Sequence, residues 1–162
     1  MSRKPPSTAA TKALDALGVV YTPRPYDHDP ATVDYGEEAA RALGVPAQRV
    51  FKTLVAEVEG RGVVAVVPVS SMLDLKALAG SLGAKRAVMA APEAAERRTG
   101  YVVGGISPFG QRSRLPLVLD ESAAELPTIL VSGGRRGFDL EVAPHDLLRA
   151  TGGSTAPIAT AR

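Results

Sequence analysis

The sequence predicts a single α/β domain, α+β-like in character, with short helices surrounding one mixed and strongly curved central sheet. Three observations predict it. A chain of 162 residues is long enough for one well-buried core and too short for two. Two apolar runs, FKTLVAEV and GVVAVVPV, are separated only by Glu59-Gly60-Arg61, which reads as an antiparallel hairpin. Helical segments are interspersed among the strands, but without the regular βαβ alternation that a doubly wound parallel sheet requires.

Each element has its own signal. Residues 1–7 read as a flexible lead-in. A helix is expected over 8–17, with Leu14 and Leu17 facing inward and Gly18 stopping it. Residues 19–22 read as a strand. The Pro- and Asp-rich stretch RPYDHDPATVDYG is an ordered loop, with Asp34 a candidate cap for a helix over 36–43 that ends at Gly44 and Pro46. Strands follow at 51–58 and 62–69. LDLKALAGSLGA is a helix, because Leu73, Leu75, Leu78, Ala79 and Leu82 fall near a 3.6-residue period and Gly83 ends it. Pro92 suits the first turn of a helix over 92–98 that closes at Gly100. Beyond the glycine-rich GGISPFGQ come strands at 116–119, 128–132 and 138–142, the last two joined by SGGRRG. Residues 144–151 form the last helix, 8–151 make one domain, and 152–162 are expected to be a flexible tail.

Composition excludes much chemistry. The chain has no Cys and two His, so disulfides, a thiol nucleophile, iron–sulfur clusters and Cys-ligated zinc are impossible. No metal site and no cofactor are expected. The toolkit left to an enzyme is Lys, Asp, Glu, Ser, Thr, Tyr and backbone amides. The opening MSRKPPSTAATKALDALG lacks an apolar run of signal-peptide length and no stretch approaches a membrane span, so a cytoplasmic location is expected. Net charge is only +2. Its distribution is uneven, however: between Lys85 and Arg114 six basic residues face Glu93 and Glu96, a local +4. Between Arg24 and Glu38 one arginine faces five carboxylates, a local −4. Such a basic stripe suits an RNA partner or a simply solvated face.

Several residues are candidates for chemistry. Lys52 lies in an apolar strand, on the face of Val50, Leu54 and Ala56, where it either snorkels at the rim or serves a pocket as cation or donor. In TGYVVGGISPFGQ, Gly104-Gly105 permits positive φ and close ligand approach, whether to aim N–H groups at an oxygen or to make a tight connection. SGGRRGFD offers Ser132 and Asp139 to a small polar ligand and Arg135 and Arg136 to phosphates, or is a hairpin turn with exposed arginines. His28 is either an acid–base group or a brace for its own loop, and His145 reads as a surface residue. GxxxxGK[ST], GxGxxG and GxSxG are all absent.

Taken in order, YDHDPATVDYG, VFKTL, LDLKALAGSLGAK, TGYVVGGISPFGQ and VSGGRRGFDLE resemble the YbaK-type Cys-tRNA(Pro) deacylases. Their superfamily includes the editing insertion of bacterial prolyl-tRNA synthetase. The resemblance runs from about residue 11 to 148 and implies that editing-domain fold. It also implies cleavage of the ester of a mischarged aminoacyl-tRNA, in possible transient complex with prolyl-tRNA synthetase and without a membrane. By resemblance, Lys52 carries deacylation, and Gly104, Gly105, Ile106, Ser107 and Pro108 form the loop at the scissile carbonyl. Ser132, Asp139 and Tyr26 match pocket residues, and Tyr35 stands where relatives often carry Phe. Arg97, Arg98, Arg112, Arg135 and Arg136 are the candidate tRNA contacts. Ala91 replaces an Asp common in relatives, at the expense of a helix cap. The family route lets the substrate's own cysteine thiol attack its carbonyl and leave as a thiolactone. The alternatives are an alanyl-tRNA(Pro) deacylase using water or a ribose hydroxyl, and a non-catalytic tRNA- or synthetase-binding adaptor.

Overall fold

A computed structural model describes residues 5–161. The expected flexible lead-in falls partly outside that range (residues 1–4), while residues 5–7 precede the first helix without regular structure. That helix, α1 (Ala9–Leu17), starts at a capping box in which Thr8 and Thr11 satisfy each other's backbone N–H, and it stops at left-handed Gly18.

The first strand, β1 (Thr22–Pro25), lies later than the expected 19–22. Val19 is instead buried in the core and Val20 is exposed. Register explains the shift. β1 is an edge strand, pairing only with β8 (Phe138–Val142), and the Tyr26 N–H bonds Gly137. By alternation, Pro23 and Pro25 turn their N–H-less nitrogens outward, where an edge tolerates them. Helix α2 (Tyr35–Leu43) begins with Asp34 in the cap position, yet that side chain makes no cap hydrogen bond.

β2 (Phe51–Val58) and β3 (Arg61–Pro68) form the expected hairpin. Its two-residue turn, Glu59-Gly60, has φ of 51° and 82°, the positive pair that matches strand twist. β3 is covered on both faces: Val64 and Val66 enter one core, Val63, Ala65 and Val67 the other. That is why GVVAVVPV reads as a continuous apolar run. The next predicted helix divides, because Leu73 belongs to β4 (Ser71–Leu73) and Asp74 caps a shorter α3 (Leu75–Ser81). A short strand missed in sequence, β5 (Ala87–Met89), precedes α4 (Pro92–Thr99), whose Ala91 cap position makes no side-chain bond. Then come β6 (Leu117–Asp120), β7 (Ile129–Arg135), β8 and α5 (Pro144–Thr151).

The C-terminal segment is not the expected flexible tail. β9 (Ser154–Ala156) pairs in parallel with β6, and β10 (Ala159–Ala161) pairs with β4. Between them Ile158 is fully buried, and Asp120 Oδ1 accepts the N–H groups of Ile158 and Ala159 at 3.0 Å each.

The single domain and mixed sheet are as expected, but the strands divide among three sheets. A five-stranded mixed sheet runs β5-β2-β3-β6-β9, a three-stranded one β1-β8-β7, and β4 pairs with β10. A parallel bridge from Val50 to Leu130 joins the two larger sheets. The five-stranded sheet is open. The main core, with Leu14, Phe51, Val66, Leu119, Phe138 and Leu140, draws on both of them.

Candidate active site

The site lies where β2 loses a neighbour. β5 pairs only with Ala56–Val58, and Val55 C=O accepts from Ala90 N–H; between there and the Val50–Leu130 bridge, no strand among the described residues pairs with that edge of β2. The Val64 N–H bonds Pro116 on the far side of β3, so Val55 and Val64 are not a bonded pair. Two residues back, Thr53 must therefore also turn its N–H and C=O to the unpaired edge. Against that edge is a cavity of about 370 Å³. It is small-molecule sized. Because it faces the strand's edge, residues of both strand faces line it, half-buried Lys52 as well as buried Phe51 and Thr53.

The other walls come from several places. The loop before α2 contributes Tyr26 and Val33, the first turn of α2 contributes Tyr35, and the β5–α4 junction contributes Met89 and Pro92. The glycine loop contributes Val103, Gly104 and Ile106, and the β7–β8 hairpin contributes Ser132 and Asp139, which stand opposite each other across the two strands. Lys52, Gly104, Tyr26, Tyr35, Ile106, Ser132 and Asp139 thus meet at one cavity.

The glycine loop divides its labour. The Gly105 N–H donates to Val102 C=O at 2.8 Å, and Gly104 has φ +89°, the pattern of a type II turn. Gly105 therefore offers no N–H to a ligand; a Cβ there would come within 2.8 Å of the Arg135 backbone, so its role is close packing. Among the described residues none accepts from the Gly104 N–H. Ser107 and Pro108 do not line this cavity. Ser107 is fully buried, its Oγ accepting from Phe109 N–H and its C=O from Gln111, and Pro108 lines a separate cavity beside α1.

Burial sets the electrostatics. Asp139 is 6% exposed, and desolvation pushes its carboxyl up to about 8, so near neutral pH it is mainly a neutral acid with a proton to donate. The Tyr26 phenol is held well above its ordinary range, first by burial and then by Asp139. Burial alone would raise Glu38, but hydrogen bonds from His28 Nδ1 (2.6 Å) and Asp29 N–H (2.8 Å) outweigh it and hold it below the usual carboxylate range. His28 thus braces its loop, while His145 is a surface residue with its side chain 81% exposed.

None of the candidate arginines lines the cavity. Arg98 pairs with Glu57 at 3.4 Å and packs on Gly62, at the end of α4 away from the cavity. Arg112 lies against Gly100, Arg97 is exposed on α4, and Arg135 is exposed at the β7–β8 turn. Arg136 is exposed too and does not line the cavity, but it holds two residues that do: it donates twice to Val103 C=O, and its guanidinium stands 4.8 Å from the Tyr35 ring centroid. Sequence reasoning missed Thr53, whose buried Oγ1 has no hydrogen-bond partner among the described residues although the residue lines the cavity. Its adjacency to Lys52 was the available signal. Among the described residues, no helix is long and apolar enough to cross a membrane.

Residues 29–150 match the family model of the aminoacyl-tRNA editing domain. The chain belongs to that family. It is 42% identical over 125 residues, 76% of each chain, to EbsC of Enterococcus faecalis, which is provisionally named a Cys-tRNA(Pro)/Cys-tRNA(Cys) deacylase. It is 38% identical over 88 residues to the multifunctional Ser/Thr-tRNA deacylase ProXp-y of Escherichia coli K12, covering 52% of this chain and 53% of that one. Among solved structures it is similar to one described, provisionally, as a trans-editing enzyme for prolyl-tRNA synthetase. The TM-score there is 0.81, with 28% identity over 95% of this chain and 98% of that one. Within this editing domain, the cavity on β2 is the place where seven of the residues assigned by resemblance converge.

Proposed function

We propose that the protein is an aminoacyl-tRNA deacylase that clears mischarged Cys-tRNA(Pro) in trans, in the cytoplasm, with Lys52 and the Gly104 N–H acting on the aminoacyl ester. One observation carries the reading: a glycine whose N–H has no acceptor among the described residues and a lysine line one small cavity in a chain that holds no thiol. An aminoacyl ester is already activated, so positioning and carbonyl polarisation suffice to cleave it. The Gly104 N–H supports the charge that develops on the carbonyl oxygen, and Lys52 orients the ester or the terminal ribose. The cysteinyl sulfur attacks its own carbonyl carbon, a C–S bond forms, and the ester C–O bond breaks. The thiol proton goes to the ribose oxygen, so that tRNA and a cyclic thiolactone leave. Neutral Asp139, Ser132 and Thr53 supply the polar contacts that hold the amino-acid portion. A transient complex with prolyl-tRNA synthetase would bring the charged tRNA.

The test is deacylation of Cys-, Ala- and Ser-charged tRNA(Pro) by the purified protein, with the cysteinyl thiol free or blocked. Release from free Cys-tRNA(Pro) that stops on blocking is expected. Release that continues after blocking assigns a water or ribose-hydroxyl route, as for an alanyl-tRNA(Pro) deacylase. No release from any of the three leaves only an adaptor role.

A further inference from the structure

Arg136, a candidate phosphate contact, is exposed, yet its side chain is engaged by its own chain. Its Nε–H and Nη2–H both donate to the C=O of Val103, at 2.9 and 2.7 Å, and its guanidinium covers the ring of Tyr35. From the other side Glu96 Oε2 accepts the Val103 N–H at 2.8 Å. The Val102 C=O is taken by Gly105. Around this turn the N–H groups of Val103 and Gly105 are spent, while that of Gly104 has no acceptor among the described residues.

A trans peptide points its C=O and its N–H in opposite directions, and the chain has no cis bond among the described residues. Holding the Val103 oxygen on Arg136 therefore fixes the Gly104 N–H on the opposite side. Holding is needed, because type I and type II turns differ by a half-rotation of the central peptide and glycine tolerates both. In the flipped state Gly104 would turn its N–H away and present the Val103 oxygen, which would repel a developing oxyanion.

We infer that Arg136, supported by Glu96, is a positioning residue that locks the Val103–Gly104 peptide with its N–H toward the substrate carbonyl, and that it is not a tRNA phosphate contact. The assignment rests on the deacylase reading above. Charge and fork geometry both serve it: two charge-assisted bonds converge on one oxygen, and the planar cation lies on an aromatic face.

Arg136→Ala, Arg136→Lys, Glu96→Ala and Glu96→Gln are compared with wild type in steady-state deacylation at several salt concentrations, beside melting curves and the ¹H–¹⁵N resonance of the Gly104 amide. Arg136→Ala is expected to lower kcat about 10- to 100-fold with KM for charged tRNA within about twofold and an unchanged salt dependence. Arg136→Lys recovers part of the loss through one donor. Glu96→Ala lowers kcat as well, whereas Glu96→Gln, which keeps the acceptor, restores it. The Gly104 amide shifts in both alanine variants. A raised KM with normal kcat and a salt slope reduced by about 1 would show a phosphate contact and overturn the assignment. So would an unmoved Gly104 amide, which reads the clamp whether or not wild type deacylates any tRNA; inactive wild type refutes only the deacylase reading. If Arg136→Ala fails to fold, the Glu96 pair decides by the same readouts.

Discussion

Gly104 lies flat on the face of Tyr35. A Cβ at position 104 would stand 2.8 Å from each of the ring's Cγ, Cδ1 and Cδ2 atoms, and the backbone there has φ +89°. Steric space and backbone conformation thus demand glycine independently. Gly104→Ala is expected to lower kcat about 100-fold by moving the Gly104 N–H, and to reduce stability by about 1–3 kcal/mol. Deacylation kinetics and denaturant melts check both, and retention of wild-type kcat would remove Gly104 from the reaction.

Lys52 is half-buried at the unpaired edge of β2, where no other lysine lines the cavity. Lys52→Ala is expected to abolish release of cysteine from Cys-tRNA(Pro) without a large change in melting temperature. Wild-type deacylation by that variant would refute the role assigned to the lysine.

Asp139 links stability to pH. Its ordinary value is 3.8 and burial raises it to about 8 in the folded protein, so between these limits the folded state holds a proton that the unfolded chain releases. The stability this confers is full below about pH 4 and is lost as pH rises through about 8. Melting temperature should fall from pH 5 to pH 9 in the wild type, and Asp139→Asn should flatten that fall. Parallel pH curves for the two proteins would show that Asp139 does not hold the proton.

The C-terminal strands are part of the fold. Ile158 is fully buried, and Asp120 accepts two backbone N–H groups beside it. Ile158→Ala is expected to cost about 2–4 kcal/mol through lost burial and the cavity left behind. Asp120→Ala should cost about 1–3 kcal/mol by stranding buried donors. Chemical denaturation measures both; losses below about 0.5 kcal/mol would mean that β9 and β10 fray freely.

Legibility in the sequence followed the range of the interactions. The hairpin was readable because Glu59-Gly60 is a local turn signal between two apolar runs, and α4 and α5 because Pro92, Pro144 and the glycines after them act within one turn. β5, β9 and β10 were not readable, since three-residue strands exist only through partners far along the chain. The same holds at the site. Lys52, Gly104, Ser132 and Asp139 carried motif signals, whereas Gly105, Ser107 and Pro108 share their motif but face elsewhere.

By itself the sequence determined the single domain, the absence of any protein thiol, and the family to which five ordered motifs point. These depend on composition and local pattern, which no folding can alter. Tertiary structure alone decided that β5 pairs with β2 only over Ala56–Val58, that burial keeps Asp139 protonated, and that the exposed Arg136 bonds Val103. Each is a meeting of distant segments, where a carboxyl's proton, a strand edge or an arginine's partner is set by what surrounds it and not by its neighbours in sequence.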